Sequence, residues 1–155
     1  MSARNASRLA LQITATLWLG MLLGVSGLAT PVKFMAPSLS LPAALDVGRH
    51  TFAAFNRVEW LLAVVLLLAL WRSRAGIGAW AVATALTAIL LVETVALLPA
   101  LDQRVETILR GGFPAPSSLH RLYVLAEGTK AVLLGIMAAI SIRRAPGDPA
   151  ADRPL

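Results

Sequence analysis

The sequence predicts an all-α integral membrane protein, a four-helix bundle of membrane-crossing segments, and three observations carry that expectation. Of its 155 residues, 57% are hydrophobic and only 14% charged, whereas a water-facing domain of this size needs roughly a quarter charged residues to solvate its surface. Mean hydropathy is +0.73. The apolar residues are gathered into four runs, at 9–29, 51–71, 77–98 and 119–142, each near the roughly 20 helical residues that cross a hydrocarbon core. Basic residues stand mostly at the ends of these runs, where they meet lipid phosphates.

The first run, broken only by Gln12, Thr14, Thr16 and Ser26, is long enough to span. Arg4, Arg8 and the small-residue stretch Gly27-Leu28-Ala29 also resemble a signal peptide, but the run exceeds the usual apolar region of about 7–15 residues. In the second run the continuous apolar stretch from Trp60 to Trp71 is too short alone, so its helix must begin near Thr51. That start draws Asn56, Arg57 and Glu59 into or near the membrane, facing other helices or, for Arg57, snorkelling to the surface. The third run is expected to end at Pro99. Its link to the second run, 72–76, is short enough to force an antiparallel hairpin, flanked by Trp71 and Trp80 at headgroup level.

Between the third and fourth runs, Leu101, Val105, Ile108 and Leu109 alternate with Asp102, Arg104 and Glu106, the spacing of a short amphipathic interfacial helix. Gly111-Gly112, Pro114 and Pro116 separate it from Ser117-Ser118, candidate N-caps of the fourth span. The transmembrane domain therefore covers 1–144. The remaining 145–155, rich in Pro, Ala, Asp and Arg, is expected to be a disordered polar tail.

Several function classes are disfavoured. The chain has no cysteine, so thiolate metal sites, iron-sulfur clusters and cysteine nucleophiles are out of reach. The net charge of +6 is spread along segment ends and forms no basic patch for nucleic acid. No nucleophile elbow, phosphate-cradling glycine loop or His-Glu-x-x-His is present, so the expectation is a non-enzyme without a cofactor. Its surroundings are the lipid bilayer, together with other membrane subunits or a second copy in a homodimer.

Four spans put both termini on one side. Seven basic residues fall on that side and six on the other, but Arg72, Arg74, Arg143 and Arg144 crowd very short stretches beside span ends. That density favours cytoplasmic termini in an inner (plasma) membrane. Close packing through small residues is expected of Thr16, Gly20 and Gly24, of Ala79, Ala83 and Thr87, and of Ala131, Gly135 and Ala139. These seams serve packing within the bundle or, along Gly20 and Gly24, a homodimer.

Charges within spans need partners or water. Glu93, Glu127 and Lys130 fall at similar depth in one half of the bilayer. His120, Tyr123, Glu127 and Lys130 share one face of the fourth helix, their intervals being three and four. With Asn56, Glu59 and Glu93 they would line a polar pocket in the non-cytoplasmic half. Three roles follow. The first is a set of interhelical contacts in an accessory, structural or interaction subunit. The second is a site for a cation, proton or small polar solute, with Glu93 and Glu127 as its carboxylates. The third places His50 and His120, which begin spans from the same face, as ligands of haem or a metal.

With these residues in view, the chain resembles the bacterial branch of the transmembrane protein 205-like family. The resemblance rests on Trp18-Leu19-Gly20, on Pro31 and Phe34, on the stretch 48–55, and on Leu119-His120-Arg121-Leu122. It implies four helices and membrane residence, and no established substrate. Glu127 and Lys130 are more charged than the family pattern leads one to expect.

Overall fold

In hydrocarbon a chain must satisfy its own backbone hydrogen bonds, and a helix does so within one segment. The computed structural model describes residues 3–143, and among them the regular structure is entirely helical. Four helices are long and apolar enough to cross a membrane: Asn5–Lys33, Leu41–Ser73, Ile77–Leu109 and Leu119–Ile142. Arg144 and the predicted tail at 145–155 lie outside the described residues.

The second span begins well before its expected start at Thr51. Ser40 adopts an extended N-cap conformation and its side chain accepts from the Ala43 N–H at 3.4 Å, with Pro42 in the first turn. Pro suits that place because its fixed φ is helical and the missing N–H is unused there. At about 1.5 Å per residue this helix is roughly 50 Å long, against a core of about 30 Å. Its 33 residues therefore project beyond the bilayer.

The third span corrects a second expectation. Pro99 does not end it, and 101–109 is not a separate interfacial helix; Leu98–Leu109 continues the same rod. A π-helical segment, Glu93–Leu97, makes this continuation possible. A proline ring normally collides with the carbonyl four residues back. The wider turn ends directly before Pro99, with the Leu98 N–H on the Glu93 carbonyl, so the regular four-residue spacing is already relaxed where the ring enters. The first span repeats the device: Leu23–Ala29 is π-helical, the Thr30 N–H bonds the Val25 carbonyl, and Pro31 follows.

The links are short. Arg74, at φ 51°, takes the left-handed conformation that closes the second helix, its N–H reaching the Leu70 and Trp71 carbonyls. The expected antiparallel hairpin follows at Ile77. Gly111 turns the chain at φ 79°, where a side chain would be strained. The fourth helix opens with the Ser118 carbonyl accepting from the Leu122 N–H at 2.9 Å.

The first and third spans each pack mainly against the second and fourth, so the bundle is a square with like-numbered parities on its diagonals. Buried positions repeat with alternating steps of four and three residues: Leu11, Ala15, Trp18, Leu22; Glu59, Ala63, Leu66, Leu70; Ala79, Ala83, Leu86, Leu90; and Tyr123, Glu127, Lys130, Leu134, Met137, Ser141. A repeat of this kind keeps one seam facing its neighbours along the bundle. Ala79 and Ala83 are buried in it as expected of small packing residues. Thr16, Gly20 and Gly24 are not: all three are exposed, and a Cβ added at Gly20 or Gly24 would meet nothing within 4 Å. Gly135 has the same empty surroundings, Ala131 is half-buried and Ala139 exposed. Packing among the described residues therefore makes no use of Gly20 or Gly24, because the register set by Trp18 and Leu22 turns them outward.

Candidate functional site: a buried ion cluster

Lys130 is the centre of the site. Its Nζ lies 2.7 Å from Glu59 Oε1, 2.6 Å from Glu93 Oε2 and 2.7 Å from Glu127 Oε1. An ammonium has three N–H donors. Glu59 and Glu93 accept hydrogen bonds from it, whereas Glu127 Oε1 is in ion-pair contact without hydrogen-bond alignment. The residues are 0% (Lys130), 1% (Glu59), 1% (Glu93) and 5% (Glu127) exposed.

The first span completes the arrangement from its own core face. Trp18 Nε1–H donates to Glu59 Oε1 at 2.9 Å, and the Ser26 hydroxyl donates to Glu127 Oε2. All four helices thus place a group in one polar knot, at positions the packing repeat would otherwise give to apolar residues. The π-helical segments meet it as well: Ser26 lies within the first and Glu93 begins the second. Wide turns of this type recur at functional sites, where they re-aim side chains that a regular helix would direct elsewhere.

Charge does not balance within the knot. With every group ionised there are three carboxylates and one ammonium, and such an excess in a low-dielectric interior has to be offset by protons or by a cation. Among the described residues Glu93 Oε1 also has no hydrogen-bond partner. Oxygens of the three carboxylates lie within 4.8 Å of one another, a donor set suited to a hard cation. The Lys130 ammonium already occupies the place between them.

Asn56 sits beside the knot. Its Oδ1 accepts from the Thr94 hydroxyl at 3.1 Å, Trp60 Nε1–H donates to the same Thr94 oxygen at 2.9 Å, and Asn56 Nδ2 is unpartnered. Tyr123 is buried with its ring edge-on to Phe52, centroids 5.1 Å apart. His120 is exposed and borders two neighbouring cavities. One, of about 550 Å³, reaches Ser26, Tyr123 and Glu127; the other, of about 520 Å³, reaches Asn56. The pocket expected from sequence is therefore two apolar-walled cavities above a closed ionic knot. His50 stands apart, exposed on the second helix and 3.7 Å from Asp46.

Residues 13–104 match a family model described as a domain of unknown function, DUF4149. The chain belongs to that family. No curated protein and no solved structure matches it. The DUF4149 match includes Trp18, Ser26, Glu59 and Glu93, and stops short of Glu127 and Lys130. The ammonium that closes the knot thus lies beyond the stretch by which membership is recognised.

Sequence reasoning brought Glu93, Glu127 and Lys130 to one depth and put Glu59 in the same pocket, but missed Trp18 and Ser26. A signal for Trp18 was present. Indoles prefer the headgroup level, and a tryptophan in the middle of an apolar run has reason to face inward. For the wide turns the signal was Pro31 and Pro99, each close to the end of a run.

Proposed function

We propose that this DUF4149 protein handles a proton or small cation within the membrane, with the buried knot as the coupling site. The observation that carries this reading is the excess of carboxylate over ammonium at Lys130. Holding four helices in register needs one carboxylate per ammonium, and two more are present. The cavity beside Ser26 and Glu127 supports an approach from one face of the bundle. No catalysis is part of this reading.

The double variant Glu93→Gln with Glu127→Gln tests it, because Glu59 still pairs with Lys130 and the fold is retained. In proteoliposomes, imposed H⁺, Na⁺ or K⁺ gradients should decay faster with the unaltered protein than in empty vesicles. The double variant should return the decay to the empty-vesicle rate. Wild-type vesicles that hold all three gradients as well as empty ones would refute the proposal.

A second reading is supported by the outward face of the first span, where Thr16, Gly20 and Gly24 are exposed and the two glycines have open space beside them among the described residues. On it, the protein is an accessory or interaction subunit that packs against another membrane helix. The two readings are compatible. The resemblance to the transmembrane protein 205-like family belongs with them, supported by the DUF4149 match over the first three spans.

We also propose an inner-membrane location with cytoplasmic termini, on the density of Arg72 and Arg74 in the tight link between the second and third spans. The absence of cysteine makes the test clean. In intact cells a membrane-impermeant maleimide should label Ser117→Cys and spare Ala75→Cys until the membrane is permeabilised. The reverse pattern would invert the orientation.

A further inference from the structure

We propose that the cavity reaching Asn56 binds an anionic phospholipid, with its phosphate held by Lys33 and an acyl chain along the apolar wall. The cavity is about 520 Å³ and lies between the end of the first span, the second span and the third, a size ordinary for an amphiphile-sized ligand. Its lining is mostly apolar, with Phe34, Phe52 and Leu98 among the wall residues. Three cations, Lys33, Arg49 and Arg57, border it against one carboxylate, Asp102.

Those cations are not equivalent. Arg49 is engaged by Asp46, Asp102 and Glu106 at 2.7, 3.5 and 2.9 Å. Among the described residues no carboxylate is in ion-pair contact with Lys33, which is half-buried and stands 5.0 Å from the Phe34 ring centroid and 5.5 Å from that of Phe52. Gly48 is what lets it lie there: a Cβ at residue 48 would collide with Lys33 Nζ.

Gly48, Phe52 and Asn56 follow one another at single-turn intervals on the second helix, and all border the cavity. The Asn56 side chain is unpartnered at Nδ2 although the residue is only 7% exposed. If its amide is turned over so that Nδ2 donates to Thr94, the carbonyl oxygen becomes the atom left over. Thr94 donates its one hydroxyl proton to the Leu90 carbonyl at 2.7 Å and accepts from Trp60, so it is left to accept from Asn56, and the amide contributes no donor to a phosphate. An ammonium without a carboxylate partner among the described residues, set above an apolar wall, is complementary to a phosphate attached to an acyl chain, and basic pockets between spans take lipid headgroups in this way.

Native mass spectrometry of the purified full chain, given phosphatidylglycerol, phosphatidylcholine, oleate or inorganic phosphate at equal concentration, tests the assignment. Phosphatidylglycerol should be retained over phosphatidylcholine. Lys33→Gln should weaken phosphatidylglycerol alone by about fivefold, the factor expected for one basic residue near a lipid surface. Gly48→Ala keeps the charge but displaces the ammonium, and should weaken it similarly. Arg72→Gln, at the other end of the second span, should change nothing. Equal retention of the two phospholipids, indifference to both Lys33→Gln and Gly48→Ala, or an equal loss in Arg72→Gln would overturn the proposal. So would displacement by inorganic phosphate or oleate, which would assign the site to a free anion or a fatty acid.

Discussion

Replacing Lys130 with methionine is expected to abolish the stably folded protein. The substitution preserves chain length and removes the ammonium on which Glu59, Glu93 and Glu127 converge. Breaking a buried pair by removing one partner costs about 3–5 kcal/mol, because the other charge is left uncompensated. Three carboxylates share that fate here. Against a total stability of roughly 5–15 kcal/mol, this is enough to remove most of the folded population. Helicity followed by circular dichroism through an SDS titration in dodecylmaltoside should show no cooperative transition for the variant. Adding Glu59→Gln, Glu93→Gln and Glu127→Gln should restore one, since the defect is charge and not volume. A single Lys130→Met that unfolds at the wild-type midpoint would show that the knot contributes nothing to stability.

Trp18→Ala should produce the second largest loss, about 3–5 kcal/mol by the usual range for emptying a buried tryptophan site. Trp18 is fully buried, packed in the core, and donates to Glu59 at 2.9 Å. Lipid tails remove the hydrophobic incentive for helices to associate, so van der Waals contact of this kind carries more of the load. Trp18→Phe keeps most of the volume and deletes the N–H. Its expected loss is about 1 kcal/mol, the ordinary net worth of a hydrogen bond, because Lys130 still donates to the same Glu59 oxygen. Trp71→Ala, at a residue 67% exposed, should stay within about 0.5 kcal/mol of wild type. Equal midpoints for Trp18→Ala and Trp71→Ala would contradict the packing described here.

The four crossings were legible because the requirement is local. A run of about 20 apolar residues has few alternatives in a bilayer, and the short link at 74–76 leaves the second and third spans only one way to run. The shared depth of Glu93, Glu127 and Lys130 was equally legible, since helical rise converts residue counts into height. The end of the third span was not. Pro99 signals a stop to any rule based on the regular α-helix, and the π-helical turn at Glu93–Leu97 that carries the chain past it depends on neighbours that accept the altered side-chain directions. The outward direction of Gly20 and Gly24 was illegible for a related reason. Small-residue spacing describes a surface that allows close approach, while Trp18 and Leu22 decide which face is turned to the bundle.

By itself, then, the sequence determined the solvent, the number of crossings, the antiparallel order and the shared height of Glu93, Glu127 and Lys130, all of which follow from chain-local energetics. Only the tertiary structure decided that one ammonium would meet three carboxylates from three helices, with Trp18 and Ser26 of the remaining helix as donors. Azimuth is the reason. Height along a helix is set by counting residues, but the direction a side chain faces, and what it meets across the bundle, is set jointly by all four helices.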